Sequence, residues 1–352
     1  MHRSVAFTPD DTREWGLPLA GPGLLLDVPQ EGPWAQRPAL HFDAVPGYRL
    51  RLSSGGQPLL WLRIDGWWDR CGFLRGAPGV PSGLPPLSAS EVREVTHAPD
   101  SSLWWEAWMW RMGRALAQPE HPMLHAGRWC LRPVRAIRAP EADRYPISTM
   151  EWRFGQPPSS PHSLEGILRF ERFWVEDWTA YGPPSEEGMF QGAVVPLRAP
   201  SSEEDGRVKS WRKRARDGTL PPALLLYVDL LGKWLLLDGH DRVHAALLEN
   251  VVPPLLGLWP VHEEVLPSSP EGQQGVLQAA EFHLRDGAPP SVVNRVNRML
   301  LLNFQGSRRS TVTRAWPMKG GLSAWRAEVL ASRRWNPFPA DSRDWEWFVS
   351  PC

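Results

Sequence analysis

The stretch "GTLPPALLLYVDLLGKWLLLDGHDRVHAALLENVVPP", residues 218–254, constrains the fold more than any other part of the chain. Its apolar runs, 223–228 and 234–237, flank a tight turn at Leu231-Gly232-Lys233 and read as two buried strands. A polar elbow, Asp238-Gly239-His240-Asp241, follows at once. A helix is expected from Arg242 to about Asn250, and after Val252-Pro253-Pro254 another apolar strand runs through Trp259. Strand, turn, strand, elbow, helix, strand is an α/β unit.

The elbow is where the chain concentrates chemistry. A glycine between strand and helix lets the backbone approach a ligand or take a conformation closed to other residues, and the first N–H groups of the helix form a natural anion site. Arg242, in the first turn, could fork onto a phosphate or carboxylate. Asp238 and His240 flank Gly239, so an acid, a base, a cation and free N–H donors fall within five residues. The plainer reading is that Asp241 is an N-cap, Asp238 ends a strand, and Arg242 bridges them. Capping accounts for Asp241 but not for the whole cluster.

Away from the elbow the sequence says more about architecture than about chemistry. Proline, at 38 of 352 residues, is about double the usual 5% and keeps long regular elements to a few windows. Residues 1–98 read as short strands and turns, with "YRLRLSSGGQPLLWLRI" as a hairpin around Ser-Ser-Gly-Gly. "DSSLWWEAWMWRMGRALAQ" is a capped helix whose residues Leu103, Ala107 and Trp110, and Trp108, Met112 and Ala115, recur at helical spacing as a packing surface. "RWCLRPVRAI" reads as a strand. The Pro/Ser-rich "FGQPPSSPHSLEG" marks a linker, "GILRFERFWVEDWTAYG" a helix or a strand pair, and the tail carries helices in "PEGQQGVLQAAEFHLRDG" and "PPSVVNRVNRMLLLNFQG", then a short helix and an irregular aromatic end in "GLSAWRAEVLASRRWNPFPADSRDWEWFVSPC". The expected fold class is mixed α+β and α/β. A β-rich region with one Trp-rich helix covers 1–155, and a compact α/β domain covers 156–352, with its core at about 186–265 and helices trailing behind it.

Composition excludes several function classes. Lys+Arg and Asp+Glu both number 39, so no global field draws the chain to nucleic acid or to an anionic membrane. Cys71, Cys130 and Cys352 are scattered and lack metal-ligand spacing, which argues against a disulfide framework or a structural zinc and fits a reducing cytosol. "MHRSVAFTPDDTREWG" lacks a signal-peptide pattern, and no apolar run is long enough to span a bilayer. A cytoplasmic protein is expected. The 21 tryptophans suit cores or binding surfaces, so an interaction module with exposed indoles as anchors, above all within 103–129, stands as an alternative function.

Local basic charge is confined to "GRVKSWRKRARDG", where Arg207, Lys209, Arg212, Lys213, Arg214 and Arg216 surround Trp211. This segment could track a nucleic-acid backbone with the indole stacked on a base, or Arg212 could clamp a phosphate beside the elbow. His240 and His244 are four apart, but His240 precedes the helix and no His-Glu-x-x-His pattern is present, so no metal site is assigned.

The stretch 215–261 resembles the core of the ParB/sulfiredoxin-like superfamily, in which an apolar strand ends in a Gly-x-x-Arg or Asp-Gly-His-x-Arg elbow, followed by "AA" on the helix and a strand led by proline. The resemblance implies a nucleotide, ATP or CTP with Mg²⁺, with its phosphates at this helix N-terminus. Sulfiredoxin-type members carry a cysteine where His240 stands, so reduction of cysteine sulfinic acid is not implied. The Asp-Gly-His-x-Arg form is closest to the free-serine-kinase branch. It carries over Asp238 and His240 as catalytic candidates and Gly239 and Arg242 as nucleotide contacts, with Asp241 beside them. Phosphoryl transfer or nucleotide hydrolysis would need a further acid or base, for which Glu187, in "PSEEGMF", lies at a plausible upstream position. A ParB-like nuclease or nucleic-acid binder is a further alternative.

Overall fold

A computed structural model describes residues 5–9, 22–29, 38–65, 70–80, 83–118, 123–134, 137–138, 152–153, 194–231, 233–265, 269–284, 288–290, 292–293, 296–297, 300, 304, 307–311, 313–335 and 343–350. The expected linker, the helix or strand pair after it, and Glu187 lie outside the described residues.

The class is mixed α/β, built on two main sheets. One has eight strands among the described residues. Seven follow the order β1 (Ala6–Pro9), β2 (Leu24–Val28), β7 (Gly127–Val134), β13 (Leu255–Val265), β11 (Ala223–Val228), β12 (Lys233–Asp238) and β10 (Val194–Pro196), and β14 (Ser307–Thr311) pairs with β13. The other has the order β15 (Ala315–Pro317), β3 (Leu40–Val45), β4 (Arg49–Ser54), β5 (Gln57–Asp65) and β6 (Arg70–Arg75). A short pair, β8 (Ile137–Arg138) and β9 (Trp152–Arg153), stands apart. Helices α1 (Ala89–Glu94), α2 (Ser102–Leu116), α3 (Gly206–Arg216), α4 (His240–Leu248), α5 (Pro270–His283), α6 (Gly321–Ser332) and α7 (Arg343–Val349) complete the described elements with bounds.

Strand pairing joins the two halves of the chain. β7 is hydrogen-bonded along its length to β13, from Leu255↔Val134 to Val261↔Arg128, and β15 adds to the N-terminal sheet by pairing with β3. Both sheets therefore draw on both halves of the chain. Beside its helices the C-terminal region adds strands at residues 307–311 and 315–317, and the aromatic end, expected to be irregular, holds the helix Arg343–Val349.

The central run forms as its pattern dictates. Every residue of β11 is buried, and β12 is buried up to Asp238. Strands covered on both faces carry continuous rather than alternating apolar sequence. Leu224, Leu226, Val228, Leu235, Leu237, Leu256 and Leu258 join the main core, which also takes in β4, β5 and α2. Leu225, Tyr227, Trp234, Leu236 and Trp259 form a second cluster on the opposite face. Trp234 lies edge to face with Trp259 at 6.0 Å. A Cβ at Gly257 would meet the Trp234 ring at 2.8 Å, so the missing side chain makes room for the indole.

On α2 the expected packing stripe is only half right. Trp104, Trp108, Met109, Met112 and Leu116 are buried, whereas Leu103 and Trp110 face outward. Ser101 caps this helix through the Trp104 amide.

Candidate functional site

β10 and β12 run parallel, with Val194 opposite Trp234 and Pro196 opposite Leu236. Chain leaving the C-terminal ends of parallel neighbours emerges at one edge of the sheet, where ligands of open α/β sheets gather. The loop Leu197–Ser201 is thereby laid against the Asp238–Arg242 elbow. β11, antiparallel to β12, brings Pro222 and Ala223 to the same end.

Gly239 is the N-cap of α4, with φ of +92°, and it supplies no side-chain cap. A Cβ there would lie 2.7 Å from the Ala223 Cβ and 2.8 Å from Nη2 of Arg242, so both backbone conformation and space require glycine. The Val243 amide bonds to the Gly239 carbonyl. The N–H groups of the first turn have no intrahelical acceptor, as at any helix start.

Arg242 is turned inward. It is 1% exposed, and its Nη2 donates to Asp238 Oδ2 at 2.7 Å and to the Pro222 carbonyl at 3.1 Å. Its guanidinium carbon sits 5.8 Å from the ring centre of Trp211. Arg242 is thus a bolt between elbow, strand and α3 rather than a fork held out to a ligand. Asp238 keeps some solvent contact, at 15% exposure.

His240 does not act as a free base in this arrangement. Its buried Nε2 accepts from the amides of Leu197 at 3.1 Å and Arg198 at 3.3 Å, which places the ring proton on Nδ1. Burial, aided by the Arg198 guanidinium, pushes its pKa down to about 3. The imidazole is a neutral strut that holds the loop to the helix.

Asp241 does more than cap. Its Oδ1 accepts from the Ser201 amide at 2.9 Å, and both its oxygens accept from Arg198, at 3.3 and 3.1 Å. Arg207, in the first turn of α3, approaches Oδ2 at 3.9 Å. Burial would raise this acid, but Arg198 and Ser201 outweigh it and hold the carboxyl below its usual range. Arg198 and Arg207 are each more than two-fifths exposed at the side chain.

Arg212 belongs elsewhere. Its Nε donates to Glu249 at 2.5 Å, and Arg216 shares that carboxylate at 2.9 Å. Glu249 lies nine residues beyond His240, about 13 Å along the helix axis, so Arg212 is no part of the elbow. Trp211 is buried, which removes it as a platform for a base. Arg198 and Ser201 were not singled out by the sequence. The signal lay in topology, because "VVPLRAPSS" becomes informative only once β10 is known to pair in parallel with β12.

The residues present do not fit a protein-held Mg²⁺. Asp241 is saturated by Arg198 and Ser201, one oxygen of Asp238 is held by Arg242, and the described residues contain no group of three or more candidate metal ligands. They fit an anion better. Among the groups in contact at the elbow, the guanidinium groups of Arg198, Arg207 and Arg242 face only the carboxylates of Asp238 and Asp241. The positive end of α4 adds to that excess.

Comparison with known protein families, with curated proteins and with solved structures finds no match. No helix among the described residues is long and apolar enough to cross a membrane.

Proposed function

We propose that the elbow binds the phosphate of a nucleotide or another phosphorylated small molecule at the start of α4. The observation that carries this is the charge imbalance at an N-terminus capped by glycine. Two half-exposed arginines are pre-positioned there by one buried carboxylate, Asp241. In this reading Asp241 orients Arg198 and Arg207, which supply the charge-assisted hydrogen bonds, while Arg242, Asp238 and His240 hold the elbow in shape. The resemblance of 215–261 to the ParB/sulfiredoxin-like superfamily supports the same ligand class. Any Mg²⁺ would arrive on the ligand.

Binding is favoured over chemistry. His240 has its one ring lone pair engaged, and Asp241, the second acid of the elbow beside Asp238, has its carboxylate taken up by Arg198 and the Ser201 amide. Calorimetric titration with ATP, CTP, GTP and ADP, with and without Mg²⁺, tests the proposal. Binding that weakens about tenfold or more in Arg207→Ala is the expected result. No heat from any of the four at millimolar concentration would overturn it.

A further inference from the structure

A second site lies between the two main sheets, away from the elbow. A cleft of about 30 Å³ is lined there by His125, Trp129, Tyr227, Arg314 and Trp316 among others, and no carboxylate of the described residues lines it. His125 is its fixed point. The ring is 8% exposed and packs 4.5 Å from the Trp129 ring centre, while the Trp129 indole donates to the His125 carbonyl at 3.0 Å. Its Nδ1 donates to the Ala126 carbonyl at 3.0 Å, so Nε2 carries a lone pair, and no described residue donates to it. Burial, then the Arg314 guanidinium, pushes the pKa down to about 4 and keeps that lone pair open near neutral pH.

Arg314 stands beside it. Its Nη1 donates to the same Ala126 carbonyl at 3.0 Å, its side chain is exposed, and it makes no ion pair among the described residues. His41, which also lines the cleft, is already occupied, since Nδ1 donates to the Pro38 carbonyl at 2.8 Å and Nε2 lies 3.4 Å from Asp43. Arg51 holds Asp43 in turn at 2.7 Å, so that charge is answered away from the cleft. What remains is one acceptor, Nε2 of His125, and one unanswered cation, both anchored on a single carbonyl. Arg314 alone would suit any anion. A buried acceptor that lacks a donor narrows the choice, because a bare carboxylate has only lone pairs to offer it. Size narrows it again. One water needs about 10–15 Å³ of such space, so two or three heavy atoms fit inside and the charged group stays at the mouth, on Arg314.

We propose that the cleft binds a small 2-hydroxycarboxylate of the size of glycolate or lactate, its hydroxyl donating to Nε2 of His125 and its carboxylate accepting from Arg314. The site is independent of the elbow. The test is titration of the full chain with glycolate, lactate, acetate and propionate, read by calorimetry and by the nitrogen resonances of the histidine rings in labelled protein. Glycolate or lactate should bind and shift the Nε2 resonance of His125, which is identified by its loss in His125→Gln. Acetate and propionate lack the hydroxyl and should bind about tenfold more weakly, and Arg314→Ala should weaken the hydroxy acids about tenfold or more. Arg314 is exposed, so that variant should fold, and thermal melting serves as the control. No binding of either hydroxy acid at about 10 mM would overturn the proposal. So would equal affinity for acetate and glycolate, which would leave the hydroxyl without a role. Affinity untouched by Arg314→Ala would also overturn it, by placing the acid on other cations such as those of the elbow.

Discussion

The elbow and the α2 face treat charge in opposite ways. At the elbow every ionic side chain is answered within the fold, with Arg242 on Asp238 and Arg198 and Arg207 on Asp241. On α2, Arg114 stacks by an exposed indole and has no carboxylate among the described residues. The densest cluster of reactive residue types in the sequence is therefore a structural joint first, and whatever binds there meets its outer arginines. The plainer helix carries the less satisfied surface. Density of acids and bases in a sequence reports where charges must be reconciled; only pairing shows which remain available.

The largest expected effect breaks the joint. Arg242→Ala leaves Asp238 and the Pro222 carbonyl without their donor and opens space beside Trp211. Removing one member of a largely buried pair costs about 3 kcal/mol. Urea unfolding should show that loss as a lower midpoint with an unchanged slope. A variant as stable as the parent but unable to bind nucleotide would return Arg242 to the ligand and reverse its assignment here.

The middle effect is a pH dependence. His240 and His125 are both held neutral. His125 donates from Nδ1 to the Ala126 carbonyl at 3.0 Å, and burial, then the Arg314 guanidinium, pushes its pKa down to about 4. The unfolded chain takes up a proton at each histidine near pH 6.5, while the folded protein does so only near pH 3 and pH 4. Between these limits the unfolded state holds more protons, so stability is complete above pH 6.5 and declines as pH falls. Each histidine contributes a slope of about 1.4 kcal/mol per pH unit in that window. Unfolding measured from pH 7 to pH 5 should be flatter in His240→Gln than in the parent. Equal slopes would mean that His240 is not the neutral strut described.

Much of this architecture was legible from residues alone. The hairpin 223–238, its helix and the strand after Pro254 follow from apolar run length, turn residues and a glycine at the elbow, all of them local signals. What was not legible is non-local. The pairing of β7 with β13 joins residues more than a hundred positions apart, and β15 reaches β3 across most of the chain. The same limit applied at the site. Gly239 and Asp241 were visible as a motif, but Arg198 enters through a parallel partner strand, and Arg212 leaves because α3 runs alongside α4 and delivers it to Glu249. On α2, periodicity identified the helix without distinguishing which apolar stripe faced inward.

The smallest effect on stability gives the sharpest division between the two ends of α4. Arg207 and Arg212 lie five residues apart on α3 and are chemically identical. Arg207 approaches the elbow acid Asp241 at 3.9 Å, and Arg212 binds Glu249 at the far end. Both are partly exposed, and exposed ion pairs contribute little to stability, so neither Arg207→Ala nor Arg212→Ala should measurably move the melting transition. Their effects on ligand should separate. Arg207→Ala removes one of the two outward cations at the helix start and weakens nucleotide binding, with a shallower salt dependence because one fewer charge meets the phosphates. Arg212→Ala, about 13 Å away along the helix, leaves affinity unchanged. Equal losses in both variants would mean that the ligand lies along the basic face of α3 instead of at the glycine cap, and would move the site from the elbow to that helix.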